Sequence, residues 1–399
     1  MDSRFYKKDD VKYLLYPQNV NWIEIFNKIF ISKRKYIEIK EELSQMISNI
    51  FETNESGIFY YSCASKALEK ILYILSVKKK IKKVYIPDFS CMELADTICS
   101  CNCEMQVYDI ADDFKPSIDT IKIINEDKHG VLILPSFFGK NQYSDEFLDV
   151  LSEMDIPIIF DEAQAFPNVS TKIYRKVDKC AIIISFGKSK PISSIGGGAV
   201  INKGLIDIED ENILKQEVQE ERYIRDIMKE SGARVINQLE RHHLVLKKKK
   251  KLYSSLEELV WNKMQCEDKT ERITKLQIIM VYYRLIKFKK TYLKRNFKEK
   301  MNFEIFGDKN IIYYDFLPLK VDNSKRYETM RQLGEYGVQC TIYYYPLHLI
   351  PFYNKRFNLN NCINSKNIFE KIIIVPFGID YSNKRINKLI KILNKLKKE

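Results

Sequence analysis

The sequence predicts an α/β protein built on a mostly parallel sheet, and three observations carry that expectation. Between about residues 57 and 202, short β-branched or aromatic runs alternate with helical patterns, the signature of successive βαβ units. Runs such as VLILP, IPIIF and AIIIS are apolar at every position, as strands covered on both faces require. After Lys300 a mixed α/β pattern returns, so the C-terminal part reads as a smaller α+β domain of its own.

The elements follow in order. GIFYYS is a strand before SKALEKILYILSV, whose apolar residues recur at helical spacing. KKVYIPDF is a strand followed by a short helix, and EMQVYDI is the next strand. Then come HGVLILPSFFG, the acidic helix SDEFLDVLSEM, and the strands IPIIFDEAQ and KCAIIISF. Residues 203 to about 300 are charged, poor in glycine and periodic, which predicts long helices. Beyond them IIYYDFLPLKV reads as a strand, SKRYETMRQLGEYGV as a helix ended by Gly337, TIYYYPL as a strand and RINKLIKILNKLKK as a closing amphipathic helix. The expected division is an N-terminal helical segment (1–54), a large domain (55–265) with a helical insertion at about 205–268, and a long helix plus small domain (266–399).

With 399 residues, 45% hydrophobic and 30% charged, the composition is that of a globular protein and excludes a disordered tail. No stretch of ~18 apolar residues is free of charge, and MDSRFYKKDD has no apolar signal core, so a soluble, cytoplasmic chain without a membrane partner is expected. Lys and Arg number 66 against 53 Asp and Glu, a net charge of +13. The lysines are spread along the chain, which argues for a solvated surface and against a nucleic-acid footprint. The run Lys247–Lys251 reads as a solvated helix face or loop, with an anion-binding surface as the alternative. Nine cysteines are expected as free thiols. Cys99, Cys101 and Cys103 fit the start of a strand better than a zinc site, because no histidine lies close by. With four histidines in all, no metal is expected.

In an open parallel sheet, ligands bind beyond the carboxyl ends of the strands. Four segments stand there. Ser62-Cys63-Ala64-Ser65-Lys66 joins a strand to a helix N-terminus, where amides and dipole suit a phosphate, or where small residues simply cap. Asp161 ends IPIIF, with Glu162 and Gln164 after it; a carboxylate there needs a cationic partner, or serves as a cap or ion pair. Ser185-Phe186-Gly187-Lys188-Ser189-Lys190 offers a lysine as a nucleophilic amine, or is an exposed loop. Gly196-Gly197-Gly198 permits close backbone approach or a tight hairpin.

Together these segments resemble the fold-type I pyridoxal-phosphate enzymes, and within them the DegT/DnrJ/StrS-type sugar aminotransferases. FDEAQAF is similar to that family's aspartate-bearing strand end, SFGKSK to its lysine motif, and CASKAL to its phosphate turn. VYIPDFS, LPSFFGK and YYYPLHLIPFY match its Pro-x-Phe, aromatic-Gly and Pro-Leu-His segments. The match runs from about 55 to 202 and from about 270 to 395. It implies a seven-stranded, mostly parallel sheet flanked by helices in the large domain.

The resemblance also implies roles. Lys190 would be the Schiff-base lysine and proton shuttle, with Lys188 a second choice at the wrong spacing. Asp161 would keep the cofactor's pyridine nitrogen protonated, and Gln164 would lie by its phenolic oxygen. Ser185 and the amides of Ala64 and Ser65 would hold the 5′-phosphate. The position that usually carries a stacking aromatic falls on Cys91, so stacking is either lost or passes to Phe89, and Thr270 falls near the family's phosphate-binding asparagine. The activity implied is transfer of an amino group from an amino acid, glutamate by expectation, to a keto group of a nucleotide-linked sugar in surface polysaccharide or glycan biosynthesis. A homodimer is implied, with Gly196–Gly198 near its boundary. Alternatives are transamination of a non-sugar ketone, sugar dehydration, which retention of Lys190 opposes, and a non-catalytic anion-binding protein on the same scaffold.

Overall fold

A strand sends alternate side chains to opposite faces, so a sheet whose strands are apolar throughout must be covered on both. The computed structural model describes Tyr13 and residues 31–139, 143–187, 190–192, 194, 196–207, 209–215, 272–292, 301–307, 316–377 and 381–397. Its main sheet holds β1 (Ile58–Tyr61), β2 (Lys83–Pro87), β3 (Glu104–Tyr108), β4 (Gly130–Pro135), β5 (Ile158–Asp161), β6 (Cys180–Ser185) and β7 (Gly198–Lys203). Their order is β1-β7-β6-β5-β4-β2-β3. Every pairing is parallel except those of β7, which runs antiparallel to both β1 and β6. This is the seven-stranded, mostly parallel architecture that the sequence predicts.

Helices fill both faces. The first is α1 (Lys33–Phe51), begun by Ser32, whose hydroxyl accepts from the Lys35 amide at 3.2 Å. After it come α2 (Ala64–Lys78), α3 (Met92–Ser100), α4 (Ile118–Asn125), α5 (Asp145–Ser152), α6 (Thr171–Lys176), the short α7 (Glu211–Leu214) and α8 (Lys275–Tyr292). On one face Ile133, Ile159, Ala181 and Ile183 pack with Leu68 and Leu72 of α2 and Leu94 and Ile98 of α3. On the other, Leu132, Ile158, Phe160, Ile182 and Ile184 share a core with residues of α1, α4, α5, α6 and α8. Burying each such side chain stabilises by about 1.5–3 kcal/mol, against about 5–15 kcal/mol for a whole domain. The sheet therefore fixes where its strand ends lie.

From β2 the chain moves outward to β3, then returns to place β4 on the other side of β2. That reversal opens a crevice at the carboxyl ends of β2 and β4, the position where ligands bind in open α/β sheets.

The C-terminal part carries a second, two-stranded antiparallel sheet of β8 (Phe316–Lys320) and β9 (Ile372–Pro376). Around it lie α9 (Arg326–Glu335), α10 (Pro351–Phe357), α11 (Ile363–Lys371) and α12 (Asn383–Leu396). α12 buries Ile386, Leu389, Ile390 and Leu393 on one stripe, as its amphipathic pattern requires. One expectation differs: TIYYYPL forms no strand. Only isolated bridges, Thr341 to Ile374 and Phe89 to Pro346, mark it, because this segment leaves β9 and crosses to the end of β2. IIYYDFLPLKV becomes a strand from Phe316, and residues 308–315 lie outside the described residues. So do most of the expected N-terminal helical segment, the 205–268 insertion beyond Lys215, and Lys247–Lys251.

Gly198 opens β7 against the N-terminus of α2. A Cβ there would sit 2.5 Å from the Ala64 nitrogen and 2.7 Å from the Cys63 carbonyl carbon, both backbone atoms that cannot swing aside. Gly198→Ala is therefore expected to destabilise the chain by about 1–3 kcal/mol, measured by chemical denaturation, with cofactor binding weakened in parallel.

Candidate active site

The site is assembled from four strand ends. β5 delivers Asp161 and β6 delivers Ser185, on the same side of the sheet as Ile133, Ile159 and Ile183. The chain leaving β2 brings Cys91, and α2 presents Ala64 and Ser65 at its first turn. With Lys190, which follows β6 by five residues, these residues line one cleft. Its volume is about 70 Å³, below the ~300–1,000 Å³ of drug-sized sites, so the chemistry of its side chains, and not its size, identifies a ligand.

Asp161 accepts one hydrogen bond within the protein, from the Ala163 amide at 3.0 Å. Burial raises its carboxyl above the usual carboxylate range, while the Lys190 charge and that amide pull it back. The next residue, Glu162, is fully buried on the other side, where its carboxylate accepts from the Tyr174 hydroxyl at 2.5 Å. Successive carboxylates thus part to opposite faces, and only the first enters the cleft.

The Lys190 amide donates to the Gly187 carbonyl at 3.1 Å. The Ser185 hydroxyl oxygen accepts from the Gly187 amide at 3.3 Å, which leaves its own O–H to donate elsewhere. At the start of α2, the N-cap residue Cys63 makes no side-chain cap, so the first-turn amides are not claimed by it. That turn is held from behind: the Gly197 amide donates to the Ser62 carbonyl at 2.9 Å, and Gln277 Nε2 donates to the same oxygen at 3.4 Å.

Cys91 lines the cleft close enough to Lys190 for that charge to act on its thiol, but burial dominates and pushes the thiol up, so it stays protonated at neutral pH. Glu93 and Thr97, two and six residues further along α3, line the same wall. Sequence reading missed both, although their i, i+4 spacing at the start of a helix leaving β2 would have placed them on one face. Phe89 and Gln164 do not line the cleft. Phe89 is fully buried among rings, with centroids 5.9 Å from Phe114, 5.9 Å from Phe137 and 5.6 Å from Tyr344. Gln164 accepts from the Phe138 amide at 2.7 Å and donates to the Tyr344 hydroxyl. Lys188 and Thr270 lie outside the described residues. Cys99, Cys101 and Cys103 are free thiols at the end of α3 and before β3, and among the described residues no three metal-ligating side chains converge.

An amine, a half-buried carboxylate, a serine O–H and a helix N-terminus in one cleft form a donor set that fits pyridoxal phosphate. The carboxylate matches a cationic ring nitrogen, the amine an aldehyde, and the hydroxyl and amides a phosphate dianion.

Comparisons with known proteins agree with that fit. The family described as DegT/DnrJ/EryC1/StrS aminotransferase matches residues 53–394. Among solved structures, PseC of Helicobacter pylori, an aminotransferase involved in pseudaminic acid biosynthesis, superposes with a TM-score of 0.62 at 14% identity over 94% of each chain. The sugar aminotransferase Spr1654 of Streptococcus pneumoniae, in its PLP form, gives 0.62 at 16% identity, covering 94% of this chain and 95% of that one. The E. coli GDP-4-keto-6-deoxy-D-mannose-3-dehydratase, with hydrated PLP bound, gives 0.65 at 15% identity over 96% and 99%. No curated protein matches the sequence. Among the described residues no helix is long and apolar enough to cross a membrane.

Because Asp161 binds its proton more tightly in the fold than in the unfolded chain, whose aspartates titrate near ~3.9, it costs the ligand-free protein stability as pH rises above that value and through its folded one. Asp161→Asn removes that cost. The ligand-free variant is expected to melt at or above the wild-type temperature at pH 7, with the gap narrowing toward pH 4, as read by differential scanning fluorimetry. A variant that loses stability at pH 7 relative to pH 4 contradicts this reading.

Proposed function

Because the chain belongs to the DegT/DnrJ/EryC1/StrS aminotransferase family, and is thereby a pyridoxal-phosphate-dependent aminotransferase, we propose that it moves an amino group from glutamate to a keto group of a nucleotide-linked sugar. The observation that carries the site assignment is the convergence of Lys190, Asp161 and Ser185 at the ends of the neighbouring strands β5 and β6.

When bound, pyridoxal phosphate supplies the electron sink and the carrier for the amino group between the two half-reactions. Lys190 would hold the cofactor through its amine, and its Nζ would carry the proton at the substrate Cα. Asp161 keeps the ring nitrogen protonated, and the opposite charge there returns the energy that burying the carboxylate costs. The Ser185 hydroxyl and the amides of Ala64 and Ser65 anchor the phosphate, with the α2 dipole adding to their attraction. Cys91, its thiol held protonated by burial, would stand where a stacking aromatic is usual, so hold on the ring would depend more on Asp161, Lys190 and Ser185.

The same reading includes a cytoplasmic homodimer, for which light scattering should return twice the monomer mass. Incubation with glutamate should bleach the visible band of the bound cofactor, and a nucleotide-linked keto sugar should restore it with release of an amino sugar. Sugar consumed without any amino sugar formed would mean dehydration instead. Lys190→Ala should lower turnover by at least ~10²–10⁴-fold, and borohydride should fix the cofactor to the peptide containing Lys190. Labelling of another lysine would reassign the role.

A further inference from the structure

We propose that Glu93 is a specificity-determining residue whose carboxylate accepts a hydrogen bond from a hydroxyl of the sugar acceptor and disfavours a substrate carboxylate at the same place; the inference rests on the function proposed above.

Among the described residues that line the cleft, three carry charge: Lys190, Asp161 and Glu93. The cofactor reading uses the first two, the amine for an aldehyde and Asp161 for a ring nitrogen. Glu93 has no such counterpart. An ionised carboxylate only accepts hydrogen bonds, so it has nothing to offer a phosphate or a phenolic oxygen, which are themselves anionic acceptors. Its side chain is exposed, and no hydrogen bond or ion pair to another described residue occupies it. The partner that suits it is a donor brought by the substrate.

α3 fixes where that carboxylate stands. The next two residues, Leu94 and Ala95, are buried, and their amides donate to the Cys91 carbonyl at 3.0 and 3.4 Å. The Thr97 hydroxyl donates to the Glu93 carbonyl at 2.7 Å. A group carried on a packed helix is aimed more sharply than one on a loop. The Cys91 thiol feels the Lys190 and Glu93 charges in opposite directions, so amine and carboxylate flank the same side chain.

The two substrates take turns in one site and differ in what they bring. Apart from the amino group that reacts, glutamate carries two carboxylates, whereas a sugar carries hydroxyls. Glu93 repels the first kind of group and accepts a charge-assisted hydrogen bond from the second. A contact that attracts one partner and opposes the other is how a shared site tells them apart.

Alkylation of the ligand-free protein by iodoacetamide, mapped to Cys91, tests the placement. Glu93→Gln should react ~2- to 5-fold faster, because the charge that disfavours the thiolate is gone, and should melt at the wild-type temperature. Kinetics of the loaded enzyme test the role, with GDP-4-keto-6-deoxymannose and UDP-4-keto-6-deoxyglucose as acceptors. Glu93→Ala should raise the acceptor KM at least ~10-fold, the loss of a hydrogen bond to a charged group. Glu93→Gln, which keeps an accepting oxygen, should raise it less, and the KM for glutamate should fall in both. An unchanged acceptor KM in Glu93→Ala, a raised glutamate KM, or a wild-type alkylation rate in Glu93→Gln would overturn the proposal. A wild-type enzyme that glutamate bleaches and neither sugar restores would overturn the sugar-acceptor reading, and this proposal with it; one that acquires no visible band with pyridoxal phosphate would overturn the cofactor reading instead.

Discussion

The arrangement depends on one electrostatic constraint: a carboxylate held at the buried end of a strand, facing an amine. Asp161 has one hydrogen bond from the protein and is raised by burial, so in isolation it weakens the fold. It persists because β5 lies between β4 and β6, and a register shift would carry every isoleucine of the row to the wrong face. The sheet's apolar packing thus sustains an unfavourable charge at the cleft. Such a cost is common at sites shaped for a ligand and not for the empty protein.

A second buried pair joins the C-terminal part to that site. Asp88, fully buried, offers one oxygen to the His348 amide and the other to its ring. Burial raises its carboxyl, and these contacts pull it back. Removing one member would leave a buried polar group unpaired, at about 3–5 kcal/mol if it stays charged. The pair sits between β2 and Cys91, so the wall of the cleft and the C-terminal chain cannot move independently. This explains why TIYYYPL, apolar and aromatic enough for a strand, is not one. At one end its Thr341 amide donates to Ile374 of β9, at the other its Leu347 amide donates to the Asp88 carbonyl, and between them the Tyr344 ring meets Phe89, Phe137 and Phe138, so the segment bridges two places and forms a ladder with neither.

The strands of the main sheet were legible because burial on both faces leaves an unbroken apolar run, which few other elements produce. Lys190, Asp161, Ser185, Ala64 and Ser65 were legible as a set because each lies at or within a few residues of the end of a strand, and the structure brings them to one cleft. Glu93 and Thr97 were not, since nothing in MELADTICS says which helical face meets the cleft until the angle of α3 to the sheet is known. Phe89 illustrates the opposite difficulty. An aromatic two residues before Cys91 satisfies the pattern of a ring-stacking residue, but its ring is drawn into a cluster with Phe114 and Phe137, whose proximity only the tertiary fold reveals. The hydrogen bond from Gln164 to Tyr344 joins residues 180 positions apart and is likewise invisible to spacing.

α7 and α8 are both moored to neighbouring residues at the end of β1. Tyr61 donates its hydroxyl to the Leu214 carbonyl at 2.8 Å, and the Ser62 carbonyl receives Gln277. Two helices far apart in sequence are thus tied to the residues that lead into α2. Because the entropy of closing a loop grows only logarithmically with its length, such anchorage tolerates change in the number of residues between the two helices at small cost.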